Sequence, residues 1–479
     1  MKNVQIPVLA ALLCWVGCSP KIQTNPRHFI LSEAPTVDLH QYRSVQLRPH
    51  QNPDFAIAMA ISGGGSRAYN FAIGVLLGLE EIPAGNSNLL HEVDYFSTVS
   101  GGGFAAGSYI AARYEYDTYG GKESFKLQDY FVHTIKENLA RSYSTPIAQS
   151  WFYPKNWFTY LDDGDALEKA IDLNVLGYRH RRQHYGRSHS RSIRLSDMFV
   201  NCYDTLTPVK LPMLVANGTI FPRMSIFPFV PNVIDTFQIS GYTHLFRNNF
   251  QQGPIDPYSL PLSVGIKASG SFPAAISNTT LLSSWDSVFR YLHIVDGGIA
   301  DNIGYQTAIE MLKQDTVATH KVLLVVDADG GGIPPTFSRR KAGYLGISVF
   351  SKLPSSGLDA RHNLLRTELT ERCRQNNITP VFLSFSNLIE GNAFIPPPEI
   401  DVIPERIKLI SKLNLAPQLL SPSDLSILYE LVTQIPTKYS IKPDEQELLY
   451  LTGKKVVLMQ QETLREIIDM QNARKINGK

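Results

Sequence analysis

Cysteine is scarce in this chain, with four in 479 residues, at positions 14, 18, 202 and 373. So few, so widely spaced, exclude a disulfide framework, and no Cys/His spacing suits a structural metal. Charge of one sign is also missing. The formal net charge is +2, which gives no global attraction to nucleic acid. Long apolar runs are short here: the one near the start, residues 6–16, falls below the ~20 residues a spanning helix needs. No internal repeat is visible. The glycine-rich loop at 62–68, "SGGGSRA", lacks a following Gly-Lys-Ser/Thr, so it is not a nucleotide P-loop. Alanine at position 68 also breaks a dinucleotide fingerprint.

What remains is an ordinary globular composition, 43% hydrophobic and 18% charged. The opening "MKNVQIPVLAALLCWVGCSP" reads as an export signal, with Lys2 before the apolar run and small residues after it. Its "WVGC" resembles a bacterial lipobox, which implies lipidation of Cys18, and Ser19 implies the outer membrane. The expected division is a signal over 1–18, a polar tether over 19–53, a catalytic domain over 54–350 and a C-terminal α/β extension over 351–479 packed on the core. Short apolar strands alternate with helices, the pattern of an α/β fold with a mostly parallel sheet covered on both faces. Strands are expected over 55–61, 93–100, 212–220, 291–298 and 321–330, and helices over 67–82 and 104–113. Between 115 and 210 the pattern loosens, and an inserted cap is expected there.

Three loops carry candidate chemistry. In "SGGGSRA", Gly63, Gly64 and Gly65 leave main-chain N–H groups bare at a helix N-terminus, where negative charge is favoured. Taken alone, the loop is equally a tight turn. Ser100, in "TVSGG", sits at a strand-to-helix corner. It fits a helix N-cap or a nucleophile elbow, for which Gly102 supplies the small residue and Thr98 replaces the usual first glycine. Asp296, in "HIVDGGIADN", ends an apolar strand before Gly297 and Gly298. It fits an Asx-turn or a carboxylate at the same sheet edge as Ser100.

In this order the three loops resemble the patatin-like phospholipase family: an oxyanion loop Gly-Gly-Gly-x-Arg, a serine elbow, then Asp-Gly-Gly. "PMLVANGTI" (212–220), "GIKASGSFPAAI" (265–276) and the late "LVTQIPTKYSI" with "YLTGKKVV" are similar to further family landmarks. Thr98 and Ala68 depart from the pattern. The resemblance implies a three-layer α/β sandwich with a mostly parallel central sheet, a cap insertion at about 115–210 and a helical C-terminal extension. It implies a Ser-Asp dyad: Ser100 as nucleophile, Asp296 as general base, and the amides of Gly63, Gly64 and Gly65 as oxyanion hole. An acyl-enzyme follows, hydrolysed by water, with no cofactor and no metal. The expected substrate is a phospholipid or another acyl lipid at a membrane surface. Arg67 either steadies the glycine loop, meets a phosphate, or is a plain surface arginine. His293 stands three residues from Asp296 on one strand, so alternation turns it to the opposite face and argues against a triad.

Two further stretches bear on the substrate's source. Residues 178–194, "YRHRRQHYGRSHSRSIR", hold six arginines and three histidines. They suit an anionic bilayer or a solvated loop, and an export signal makes nucleic acid the poorer partner. Residues 219–234 place Phe221, Phe227 and Phe229 among prolines, as a lipid-facing rim or as a buried wall of the cap. Two other functions stay open: an envelope lipoprotein that binds lipid without turnover, for which Thr98 and Ala68 speak, and an esterase or thioesterase for soluble esters. The oligomeric state is not legible.

Overall fold

Seven apolar residues in succession, Phe55–Ile61, form strand β1, and every one is buried. Such a run has no solvent side, as a central strand of a covered parallel sheet requires. The computed structural model describes residues 55–85, 87–120, 125–150, 152, 162–187, 190–199, 211–242, 254–273, 275–283, 290–328, 366–389 and 402–477. The export signal with Cys18, the tether and Cys202 lie outside them.

In chain order, β1 leads into α1 (Gly65–Glu80), β2 (Tyr95–Thr98) and α2 (Gly101–Tyr119). Short helical pieces follow, then α3 (Asp163–Ala170) and α4 (Tyr178–Tyr185). Next come β3 (Met213–Phe221), β4 (Ser225–Pro228), β5 (Ile239–Tyr242), α5 (Leu262–Ser269), β6 (Thr279–Ser283) and β7 (Arg290–Val295). The chain continues through α6 (Tyr305–Gln314), β8 (His320–Asp327) and β9 (Ile378–Ser384). It closes with α7 (Val402–Leu415), α8 (Pro422–Thr433), α9 (Pro443–Met459) and α10 (Gln461–Asn477). The helices at both candidate loops start earlier than the sequence pattern indicates, at Gly65 and Gly101, because the glycines themselves enter the first turn.

The nine strands form one mixed sheet in the order β9-β8-β1-β2-β3-β7-β6-β5, with β4 paired to β3. The strands from β9 to β3 run parallel, and the additions beyond β3 are antiparallel. Helices cover both sides, so the fold is the expected α/β sandwich.

Register decides where the loops go. Ile61 pairs with Thr98, and Thr98 with Ala216, so β1, β2 and β3 reach one edge together. Strand β3 then overshoots the edge by five residues, and β7 runs back along that overhang, with Thr219 opposite Val295. Continued by one residue, that register brings Asp296 to Gly218, the level that Ser100 reaches when the β2–β3 register is continued. An antiparallel strand thus delivers its C-terminal loop to the same edge as the parallel strands.

Helix α1 is buried almost all round because α9 lies across its outer side. A Cβ at Gly74 would stand 1.9 Å from the Tyr450 carbonyl oxygen, and one at Gly453 would stand 2.3 Å from that of Phe71. Small residues on both helices permit main-chain contact, and the C-terminal region thereby covers the helix that follows the glycine loop.

Candidate active site

Ser100 is held at φ 47° and ψ −117°, a conformation disfavoured for any residue with a side chain. It occupies the N-cap position of α2, yet its hydroxyl makes no capping bond. That removes the helix-cap role. The strained corner is pinned by Ser269, whose hydroxyl accepts the Ser100 N–H (2.9 Å) and donates to the Asn217 carbonyl (2.6 Å). Thr98, the departure from the elbow pattern, is buried and donates to the Val215 carbonyl of the adjacent strand (3.3 Å). The space a glycine would leave is filled, and the corner is not displaced. Gly101 and Gly102 are needed for close approach: a Cβ would lie 2.1 Å from the Gly65 carbonyl oxygen and 2.5 Å from that of Ile61, respectively.

The Asp296 carboxylate is buried, accepts the Gly298 N–H (2.7 Å) and has the Ser100 hydroxyl as a neighbour that favours its ionised form. The Asx-turn and the serine contact coexist, since the turn orients the carboxylate that the serine meets. Burial pushes the Asp296 pKa up to about 7, opposed by the Gly298 N–H and the Ser100 hydroxyl, which favour the ionised form. The main chain around it is fixed by Asp296 N–H to Ser271 C=O (2.9 Å), Gly297 N–H to Ser269 C=O (3.1 Å) and Thr219 Oγ1 to Asp296 C=O (2.8 Å). Gly297 packs on β3, where a Cβ would stand 2.0 Å from the Asn217 carbonyl oxygen.

The glycine loop lies against this corner, with a Cβ at Gly63 only 3.5 Å from that of Ser100. One expectation is corrected here. The Gly63 N–H donates to the Asn302 carbonyl (2.9 Å), which takes it out of any oxyanion hole. The Ser66 N–H donates to the Lys438 carbonyl (2.7 Å). Between them, the N–H groups of Gly64 and Gly65 make no bond with the described residues, at the N-terminal end of α1. Of the three loop glycines, these two keep an N–H available to an outside acceptor. Gly64 (φ 139°) and Gly65 (φ 59°) adopt backbone angles that a side chain resists. Ala68 fits beneath, 3.2 Å from where a Gly64 Cβ would be.

Arg67, in the first turn of α1, is not a plain surface group. It is half-buried and its Nη1 donates to the Ile435 carbonyl (3.2 Å) in the C-terminal region. His293 bonds Asn278 (2.9 Å) and Thr280 (3.2 Å) on the exposed side of its strand, away from the Asp296 carboxylate. Among the described residues no group of His, Cys, Asp or Glu side chains suits a metal ion, and no helix is long and apolar enough to cross a membrane.

A family model for patatin-like phospholipase matches residues 59–309, just over half of the chain. The chain belongs to the patatin-like phospholipase family. This is a family of lipid acyl hydrolases, and the matched span runs from the glycine loop through Ser100 and past Asp296. Two solved structures of human GIVD cytosolic phospholipase A2 are similar, one in complex with methyl gamma-linolenyl fluorophosphonate inhibitor and terbium chloride. Each is 12% identical with a TM-score of 0.41, over 89% of this chain. The chain spans about three fifths of those chains, 61% and 62%. No curated protein sequence matches.

Within this patatin-like site, several supporting residues escaped sequence reading. Ser269 and Asn217 stand in the quoted landmarks "GIKASGSFPAAI" and "PMLVANGTI", but nothing in spacing gives them partners. Asn217 Nδ2 donates to Ser97 Oγ (2.9 Å) and to the Thr98 carbonyl (3.1 Å), and its Oδ1 accepts from Thr307 (2.7 Å). Asp301 is buried and caps the turn after Asp296, accepting the N–H groups of Ile303, Gly304 and Gln306. Burial pushes its pKa up to about 6, opposed by those amides and by Arg372.

The two side stretches resolve differently. Arg181 is fully buried, donating to the carbonyls of Leu176 (2.6 Å) and Arg191 (3.1 Å). Arg191 pairs with Asp197, and His180 with Glu115 (3.0 Å). Part of the basic segment is therefore internal scaffolding, its donors spent on main-chain carbonyls and carboxylates of its own surroundings. Phe227 and Phe229 are core residues, whereas Phe221 and Met224, at the β3–β4 turn, are 50% and 47% exposed.

Proposed function

We propose that the protein is an exported, membrane-attached phospholipase A-type hydrolase working through Ser100 and Asp296. The observation that carries the reading is the Ser100 hydroxyl, released from helix capping by a strained backbone and set beside a buried carboxylate whose ionised form it favours. A carboxylate at its ordinary pKa is a weak base for a serine proton, and one at about 7 is better matched. Ser100 Oγ gives its proton to Asp296 as it bonds to the ester carbonyl carbon. The Gly64 and Gly65 amides meet the resulting oxyanion, where one such donor typically contributes ~10² to 10³ in rate. Asp296 then returns the proton to the departing alcohol, leaving an acyl-Ser100. Water, deprotonated by the same carboxylate, releases the fatty acid and restores both groups.

The non-catalytic reading leaned on Thr98 and Ala68. Both are accommodated without disturbing Ser100, which supports turnover instead. In a direct test, lipid vesicles are incubated with the protein and analysed for released fatty acid and lysolipid, and a fluorophosphonate probe is mapped by mass spectrometry. Release of both products and a probe adduct on Ser100 are expected. Vesicles that stay intact across zwitterionic and anionic phospholipids, with no labelled serine, refute the reading. Equal rates on a monomeric ester and on vesicles favour a soluble esterase.

Membrane attachment rests on the leader and Cys18. Cells expressing the full chain are expected to carry it in the membrane fraction, and Cys18→Ala to move it out of that fraction. An unchanged distribution removes the lipid anchor from the proposal.

A further inference from the structure

The two halves of the site, the amide-bearing glycine loop and the turn that holds Asp296, have a common partner far away in sequence. It is the connection between α8 and α9, residues 435–441, "IPTKYSI". Its carbonyls at Ile435 and Lys438 accept from Arg67 Nη1 (3.2 Å) and from the Ser66 N–H (2.7 Å), both in the first turn of α1. The Lys438 carbonyl lies so close to Gly65 that a Cβ there would be 2.5 Å away. One residue on, Tyr439 turns to the other half of the site. Its hydroxyl donates to the Gly270 carbonyl (2.8 Å). Gly270 is adjacent to Ser269 and Ser271, whose carbonyls hold the Gly297 and Asp296 N–H groups. A Cβ at Gly270 would be 3.7 Å from Ser100 Oγ. The far end of that loop is tied to the cap, with the Ser277 N–H on Asp163 (3.1 Å) and its carbonyl on Lys267 (3.3 Å). Burial, and next the charge of Asp296, keep the Tyr439 hydroxyl protonated, so it stays a donor.

We infer that Tyr439 is a positioning residue for hydrolysis, and that the 435–441 strap sets the spacing between the oxyanion amides and the Ser100–Asp296 pair. The inference rests on the proposed hydrolase reading and adds a C-terminal component outside the matched family span, 59–309. The strap touches loop main chain on both sides, so its effect reaches the reacting atoms through the loops.

The test compares Tyr439→Phe with wild type in the full chain. The ring is kept and only the hydroxyl goes, so the fold is expected to survive with a thermal midpoint lowered by a few degrees at most. A soluble p-nitrophenyl ester reports kcat and KM separately, and a fluorophosphonate reports the acylation rate of Ser100. Loss of one neutral hydrogen bond that fixes the loop is expected to lower kcat and the acylation rate about 5- to 10-fold, with KM unchanged within about twofold. Arg67→Met, at the other clasp, is expected to lower the same two rates on this phosphate-free ester. If Tyr439→Phe acylates at the wild-type rate, or only KM rises, the positioning role is refuted. A wild type that neither turns over nor labels refutes the hydrolase reading itself, which keeps the two failures apart.

Discussion

Alanine at position 100 is expected to lower ester hydrolysis by about 10⁴-fold or more, with the fold intact. The magnitude follows from the absence of a second nucleophile in the proposed sequence: without Oγ no acyl-enzyme forms, and only binding and the Gly64–Gly65 amides are left to assist water. Stability should not fall, because the hydroxyl caps no helix and makes no hydrogen bond within the described residues that holds two elements together. Glycine at the same position separates strain from chemistry. It adopts φ 47° freely, so Ser100→Gly is expected to be as inactive as Ser100→Ala and to unfold at a higher denaturant midpoint. Hydrolysis retained by either variant, in protein freed of contaminating esterases, would sink the nucleophile assignment.

Asp296→Asn is expected to be as damaging as Ser100→Ala, and the double variant no worse than either, since the two groups act as one unit. The pH dependence gives an independent handle. With Asp296 at about 7, the base form predominates only above that value. The wild-type kcat/KM should therefore rise tenfold per pH unit up to about 7 and level off beyond it. Stability should run the opposite way. The folded-state pKa lies above the unfolded one, so this carboxyl's stabilising share is complete below about 4 and is lost as pH rises through about 7. Asparagine cannot ionise. The variant should thus unfold later than wild type at pH 8, by up to a few kcal/mol, with the gap closing near pH 4. A flat activity profile between pH 5 and 8, or a gap that grows on acidification, contradicts a buried, titrating base.

The stretches proposed to carry the chemistry were legible because each pairs an apolar strand with residues that only a tight corner accommodates. Ser62 to Ala68, Ser100 to Gly102 and Asp296 to Gly298 announce loops at strand ends, and their order in the chain marks the family. Their finer roles were not legible. Three glycines in a row look alike, yet Gly63 spends its N–H on Asn302, while Gly64 and Gly65 keep theirs. Thr98 looks like a flaw in the elbow until its hydroxyl is seen on the Val215 carbonyl. The arginine-rich stretch reads as a surface patch, but Arg181 is buried against the Leu176 and Arg191 carbonyls, because composition does not reveal which donors turn inward.

By itself the sequence determined the alternation of strands and helices, the positions of the reactive corners and the family, since these depend on residues adjacent in the chain. Tertiary structure alone decided three other things. It decided that Asp296 reaches Ser100, through the overhang of β3 and the antiparallel return of β7. It decided the protonation range of that carboxylate, which is set by burial contributed from many segments. It decided that residues 435–441 join the site. Hydrogen-bond partners and desolvation belong to the assembled neighbourhood, and no single stretch of chain encodes them.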